Sequence, residues 1–203
     1  MSRLIVLFPV AILALSACDS SSRDSAPRNA PAVAPTPDER APGLPVSAAD
    51  KLTPQGFGPL KIGMSLAEIE AVMGPDSHPN AVGGSDPAAC TLFHPRDAPA
   101  GVMAMVEGGV LTSVWLDPSA TAETDRALNI GDTAAEVRRV YGDQVQTMPH
   151  KYEAAPAEYL FVWTPPDHAG PAARGLKYEI GRDGRVVRIA GGGPSIQYVE
   201  GCA

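Results

Sequence analysis

The chain is predicted to be an α+β protein of two tandem repeats, each a short helix packed on a small antiparallel β-sheet. Two observations predict it: an internal repeat that carries a helix signature, and a glycine-turned strand pair after each copy. The run Ile62-Gly63-Met64-Ser65-Leu66-Ala67-Glu68-Ile69-Glu70-Ala71-Val72-Met73-Gly74 lies without a gap over Ile130-Gly131-Asp132-Thr133-Ala134-Ala135-Glu136-Val137-Arg138-Arg139-Val140-Tyr141-Gly142. Self-similarity at a fixed offset marks duplication of a structural unit.

Each copy opens with a capping box, Ser65 with Glu68 and Thr133 with Glu136, in which hydroxyl and carboxylate satisfy free N–H groups at a helix start. Each closes on glycine, Gly74 and Gly142, where a left-handed residue ends a helix. Between them Leu66, Ile69, Val72 and Met73, and in the other copy Ala134, Val137, Val140 and Tyr141, fall on one helical face. The same offset carries Thr91-Leu92-Phe93 onto Tyr159-Leu160-Phe161, a following strand. Next come two hairpins, from Val102 to Trp115 around Gly108-Gly109 and from Leu176 to Ile189 around Asp183-Gly184. Such pairs supply the positive φ angles that tight turns between β-rich runs demand. Each unit thus orders as helix, strand, hairpin, and the helix is the cover available for the apolar face of its sheet.

The formal charge of -7 disfavours nucleic acid and anionic headgroups as electrostatic partners. From Asp19 to about Asp50 the residues are Ser, Pro, Ala and scattered charge without an apolar period, a composition that cannot repay the entropy of ordering. Proline biases such a tether toward extended conformations, about 3.1 Å per residue. The organisation expected is a leader over 1–17, a tether over 18–50, a first repeat over 51–128 and a second over 129–203.

Arg3 supplies a cationic n-region and Leu4 to Leu15 an apolar h-region, with small Ser16 and Ala17 after it. The stretch is shorter than the roughly 20 residues of a spanning helix, and Pro9 interrupts it. Leu15-Ser16-Ala17-Cys18 resembles the lipobox of bacterial lipoproteins. The resemblance implies cleavage before Cys18 and attachment there of diacylglycerol and a further acyl chain such as palmitate. Two or three chains, at about 0.8 kcal/mol per buried methylene, anchor stably to the bilayer where one is marginal. Asp19 resembles an inner-membrane retention signal, which favours the inner membrane and leaves the outer membrane open. With Cys18 assigned to lipid, Cys90 and Cys202 remain for a disulfide in an oxidising periplasm; two buried free thiols are the alternative. Under the repeat offset Cys90 corresponds to Glu158, so the bond would act as a clasp from the last segment, Tyr198 to Cys202, to the first unit.

Pro59 to Ile69, followed by Gly74 and turn-linked strands, resembles the SmpA/OmlA small outer-membrane lipoproteins and the repeated unit of the β-lactamase inhibitory protein. Those families imply a helix on a small antiparallel sheet, and the second implies two such units forming a concave binding face. The chain as a whole resembles uncharacterised proteobacterial lipoproteins.

Catalytic signatures are sparse. His78, His94, His150 and His168 have no partner at metal-ligand spacing, so no metal and no cofactor is expected. Ser195 lacks the following glycine of a nucleophile elbow, and Gly191-Gly192-Gly193 lacks the lysine and hydroxyl of a phosphate loop. Arg182, Arg185 and Arg188 are spaced by three, which does not keep strand residues on one face, and are taken as solvated charge. The candidate binding surface is Trp115, His150, Lys151, Tyr152, Tyr159 and Trp163, because aromatics dominate recognition sites. Packing of the strand aromatics into a core is the competing account, and exposure of Trp115 or Trp163 separates the two. The function expected is a lipid-anchored, periplasm-facing, non-enzymatic binding module for a protein or envelope component. The alternatives are an enzyme acting on an envelope substrate such as peptidoglycan and an envelope-assembly factor.

Overall fold

A computed structural model describes residues 50–80, 86–164 and 168–202. The leader, Cys18, Asp19 and the tether up to residue 49 lie outside the described residues. Along the chain come β1 (Leu52–Thr53), β2 (Gly56–Phe57), β3 (Leu60–Lys61), α1 (Leu66–Met73), β4 (Cys90–Phe93), β5 (Val102–Glu107) and β6 (Val110–Leu116). There follow α2 (Ala134–Tyr141), a 3-10 turn, β7 (Val145–Pro149), β8 (Glu158–Thr164), β9 (Arg174–Ile180), β10 (Val186–Gly192) and a second 3-10 turn, Pro194–Gln197.

The expected fold class is corrected here. In place of two tandem helix-on-sheet repeats there is a mainly β architecture: one seven-stranded antiparallel sheet, ordered β4-β5-β6-β10-β9-β8-β7, and a small three-stranded sheet, β1-β2-β3. The joint is the pairing of β6 with β10, Leu116 opposite Ile189 through Ser113 opposite Gly192. Separate units would leave the backbone groups of both strands unpaired at sheet edges, and an unpaired edge recruits a partner strand. Here the two edges satisfy each other.

The helices are short, eight residues each, and their ends follow the local chemistry. The Ser65 amide donates to Glu68 Oε2 at 2.7 Å and the Thr133 amide to Glu136 Oε2 at 2.7 Å, while each N3 amide returns to the capping hydroxyl. Gly74 and Gly142 end the helices at φ 75° and 56°. Each helix start is pinned to a hairpin turn: the Leu66 amide donates to Gly109 O and the Ala134 amide to Gly184 O, both at 3.1 Å.

Helices and small sheet cover one face of the large sheet. Ile69 and Met73 of α1, Val137 and Tyr141 of α2, and Leu52, Phe57 and Leu60 of the small sheet are buried against Val114, Leu116, Leu160, Tyr178 and Ile189. Burying such a side chain is worth about 1.5–3 kcal/mol. Gly191 on β10 permits the close approach of β1, since a Cβ there would lie 2.6 Å from the Thr53 carbonyl oxygen. The opposite face has its own apolar set, Met105, Trp115, Tyr159, Phe161, Trp163 and Ala190. Among the described residues no helix is long and apolar enough to cross a membrane.

Because the sheet is shared, residues 51–128 produced alone are expected to show no cooperative urea transition by circular dichroism, whereas residues 51–203 unfold in one step. A separate transition for the short fragment would show that β6 does not need β10.

Candidate functional site

Alternation along the strands assigns the second face. On β9, Leu176, Tyr178 and Ile180 point to the helix side and Gly175, Lys177 and Glu179 to the other. A register irregularity between Val186 and Arg188 on β10 lets Val186 and Ile189 both join the helix-side core and turns Arg188 onto the second face. There Arg188 meets Trp115, with its guanidinium carbon 5.8 Å from the ring centre.

A strap closes over this face. After β10 the chain makes the 3-10 turn Pro194–Gln197, buries Ile196, and runs to Cys202, which is disulfide-bonded to Cys90 of β4 across 112 residues. In the chain-entropy account a loop of that size contributes up to about 4.7 kcal/mol.

Lys177 lies under the strap and is 2 % exposed. Its ammonium donates to the Tyr198 carbonyl at 2.8 Å and sits 4.4 Å from the Tyr159 ring centre, 5.6 Å from Trp115 and 6.0 Å from Phe161. Three ring faces and one carbonyl stand in for water. Burial depresses its pKa to about 8, opposed by the Glu179 charge and assisted by Arg188.

Glu179 links two neighbours. Its Oε2 accepts from Arg188 at 3.2 Å and its Oε1 faces His150 Nε2 at 3.4 Å. The amides of Tyr152 and Glu153 donate to His150 Nδ1 at 3.2 and 3.1 Å, which sets the proton on Nε2 and leaves neither ring nitrogen spare. The imidazole also stacks on Tyr159 with centroids 4.6 Å apart.

The sequence-derived surface is therefore divided. Trp115, Tyr159 and Trp163 converge on this face but are 3, 4 and 8 % exposed, so the core account holds for them. Trp163 lies flat against Phe161 and across Gly175, where a Cβ would come within 2.6 Å of the indole. His150 is half-buried and structural. Lys151 and Tyr152 are exposed, with the ammonium 5.0 Å from the phenol ring and 3.7 Å from Glu200. Three of the four exposed large apolar side chains among the described residues, Met148, Tyr152 and Tyr198, border the strap and the His150 loop; the other is Val110.

Lys177, Glu179 and Arg188 lie outside the surface that the sequence predicts, although charge at alternate positions of an otherwise apolar β9 is a visible signal. Arg188 corrects the solvated-charge expectation, whereas Arg182 stays 74 % exposed beside Glu153 and Arg185 donates to the Gly131 carbonyl. His78 and His94, distant in sequence, pack edge to face at 5.0 Å. No group of three or more metal-capable side chains occurs among the described residues.

No protein-family model matches the chain, and no curated protein matches it. Among solved structures it is similar to an extracellular protein containing a SCP domain from Bacillus anthracis str. Ames, at 11% identity and a TM-score of 0.40. The match covers 65% of this chain and 44% of that one, so the chain spans less than half of that protein's length. Similarity at that level assigns neither fold nor function.

Lys177 gives a pH signature. The unfolded chain holds its proton up to about pH 10.5 and the folded chain only to about 8, so the unfolded state binds more protons between those values and stability rises with pH there. Tyr159 and Tyr178, raised mainly by burial, act with the opposite sign above pH 10, which leaves a window from about 8 to 9.5. Over that window wild type is expected to gain about 2 kcal/mol from Lys177. Lys177→Met should raise the urea midpoint at pH 7 and abolish this rise; an unchanged pH slope in the variant would remove Lys177 as its source.

Proposed function

We propose that the chain is a membrane-anchored envelope lipoprotein whose folded part is a non-enzymatic binding module for a protein or envelope component. Acylated Cys18 holds it to the bilayer, the tether carries the folded part into the periplasm, and Asp19 favours the inner membrane. The observation that carries the binding reading is exposed Tyr152 under the Lys151 ammonium, which pairs with Glu200 and shares a shallow groove with Tyr198 of the strap, while exposed Met148, opposite Tyr159 on β8, lies on the same face of the sheet. Exposed aromatics and a thioether beside a charged pair are the composition of recognition surfaces. Beneath them His150, Glu179 and Arg188 bind one another and Lys177 binds the strap, an arrangement suited to holding a surface rigid. The working surface is thus the exposed rim, Lys151 and Tyr152 with Met148 and Tyr198, and the buried aromatics are its support.

Two measurements test the proposal. Mass spectrometry of the mature N-terminus is expected to find acyl groups on Cys18, and an unmodified cysteine there rejects the anchor. A photo-crosslinking residue at position 152 in intact cells should give a discrete adduct that the same residue at position 70, on the solvent side of α1, does not. Adducts that are absent or equal at both positions reject the surface.

A further inference from the structure

Little besides its disulfide holds the strap to the second face. From Val199 to Cys202 no backbone hydrogen bond to the sheet occurs among the described residues, and the Tyr198 amide turns back to Ser195 O. Beneath the strap is a cavity of about 270 Å³, with Trp115 at its floor and Val199 and Gly201 at its roof. Dispersion needs close contact, so packing under the strap is incomplete. The polar contacts are few. Lys151 pairs with Glu200 at 3.7 Å with both side chains half exposed, and pairs of that kind contribute little. The Tyr198 phenol stands beside Glu107 and is itself exposed. The Lys177 ammonium donates to the Tyr198 carbonyl at 2.8 Å.

Ordering a segment costs backbone entropy at every residue, and contacts so sparse do not offset that cost from Tyr198 to Cys202. The bond from Cys202 to Cys90 does, because it keeps the far end of the strap on β4 whatever the contacts between do. The near end is fixed separately. Ile196 is fully buried in the 3-10 turn Pro194–Gln197, so a strap freed at Cys202 would pivot about this turn. The sheet beneath does not depend on it: β4 pairs with β5, and β6 with β10, through their own backbones. Lys177 also favours release. Tyr198 O is its one hydrogen-bond acceptor among the described residues, and lifting the strap returns a desolvated ammonium to water.

We propose that Cys90–Cys202 is a redox latch: its reduction frees the strap, opens the Lys177 ammonium and the Trp115 ring to solvent, and withdraws Tyr198 and Glu200 from the exposed rim. The reductant is a dithiol. One of its thiolates attacks the protein disulfide, forms a mixed disulfide with one cysteine and expels the other as thiolate. Its second thiolate then displaces the remaining cysteine and closes the reductant's own disulfide. Two electrons pass to the protein, and its two new thiolates take up the two protons that the dithiol loses. Withdrawal from the rim rests on the binding function proposed above; the opening over Lys177 does not.

The test uses the full chain with and without dithiothreitol, pulsed at constant pH with an N-hydroxysuccinimidyl acetate and read lysine by lysine by mass spectrometry. Reduction should speed acetylation of Lys177 at least tenfold and that of Lys61, on β3, less than twofold, with the circular dichroism spectrum unchanged. Cys202→Ser should acetylate Lys177 at the reduced rate without reductant. An unchanged Lys177 rate overturns the latch, as does a disulfide that dithiothreitol leaves intact in the folded chain, or a reduction that unfolds the sheet. The adduct at position 152 should fall at least fivefold in Cys202→Ser, and an undiminished adduct overturns the coupling of latch to rim. Failure of that crosslink in wild type rejects the rim and leaves the Lys177 result standing.

Discussion

Four residue pairs between β6 and β10 hold this structure together as one object. Through them two hairpins that are distant in sequence become the centre of a seven-stranded sheet, and both helices come to cover the same side of it. A sheet this wide has two large faces. The helices and the small sheet supply cover for one, so the other must find its own. That requirement accounts for the aromatic strands β6 and β8, the buried Ile196 and the strap that the disulfide holds across them.

The second face accepts charge at a cost that its geometry offsets. Desolvating an ammonium is expensive, and Lys177 is held by a carbonyl and three rings where a carboxylate would be the usual partner. Glu179, the one carboxylate within the cluster, is committed to Arg188 and faces His150. Rigid aromatic packing below and exposed Met148, Tyr152 and Tyr198 above make a surface whose shape is set before any partner arrives, which lowers the entropic cost of recognition.

What was legible in the sequence was local. Ser65 with Glu68, Thr133 with Glu136, and the glycines that end each helix act through neighbours within four residues, and Gly108-Gly109 makes the two-residue turn read for it, with φ of 55° and 79°. The pairing of β6 with β10 joins residues more than 70 positions apart and leaves no local mark. A partial mark was available in Val102-Met103-Ala104-Met105-Val106, where an unbroken apolar run signals a strand buried on both faces. β7 carries little mark in the sequence because Val145–Pro149 is a mostly exposed edge with little alternation. For the site, residue type pointed to Trp115, Tyr159 and Trp163 but not to their depth, since burial was decided by a strap arriving from elsewhere in the chain. Arg188 reached them through a register irregularity that no spacing rule anticipates.

The absence of a side chain at Gly175 is itself an architectural part. Trp163 occupies the space that a Cβ on the adjoining strand would take, so the ring can lie across β9 only where that strand offers no side chain. Because the Val162 carbonyl oxygen would also stand 2.9 Å from that Cβ, a smaller residue at 163 does not by itself make room at 175, and the glycine is held in place by strand and indole together. A large ring at 163 therefore obliges glycine at 175, whatever partner the rim has come to recognise, while loss of the ring does not release the glycine.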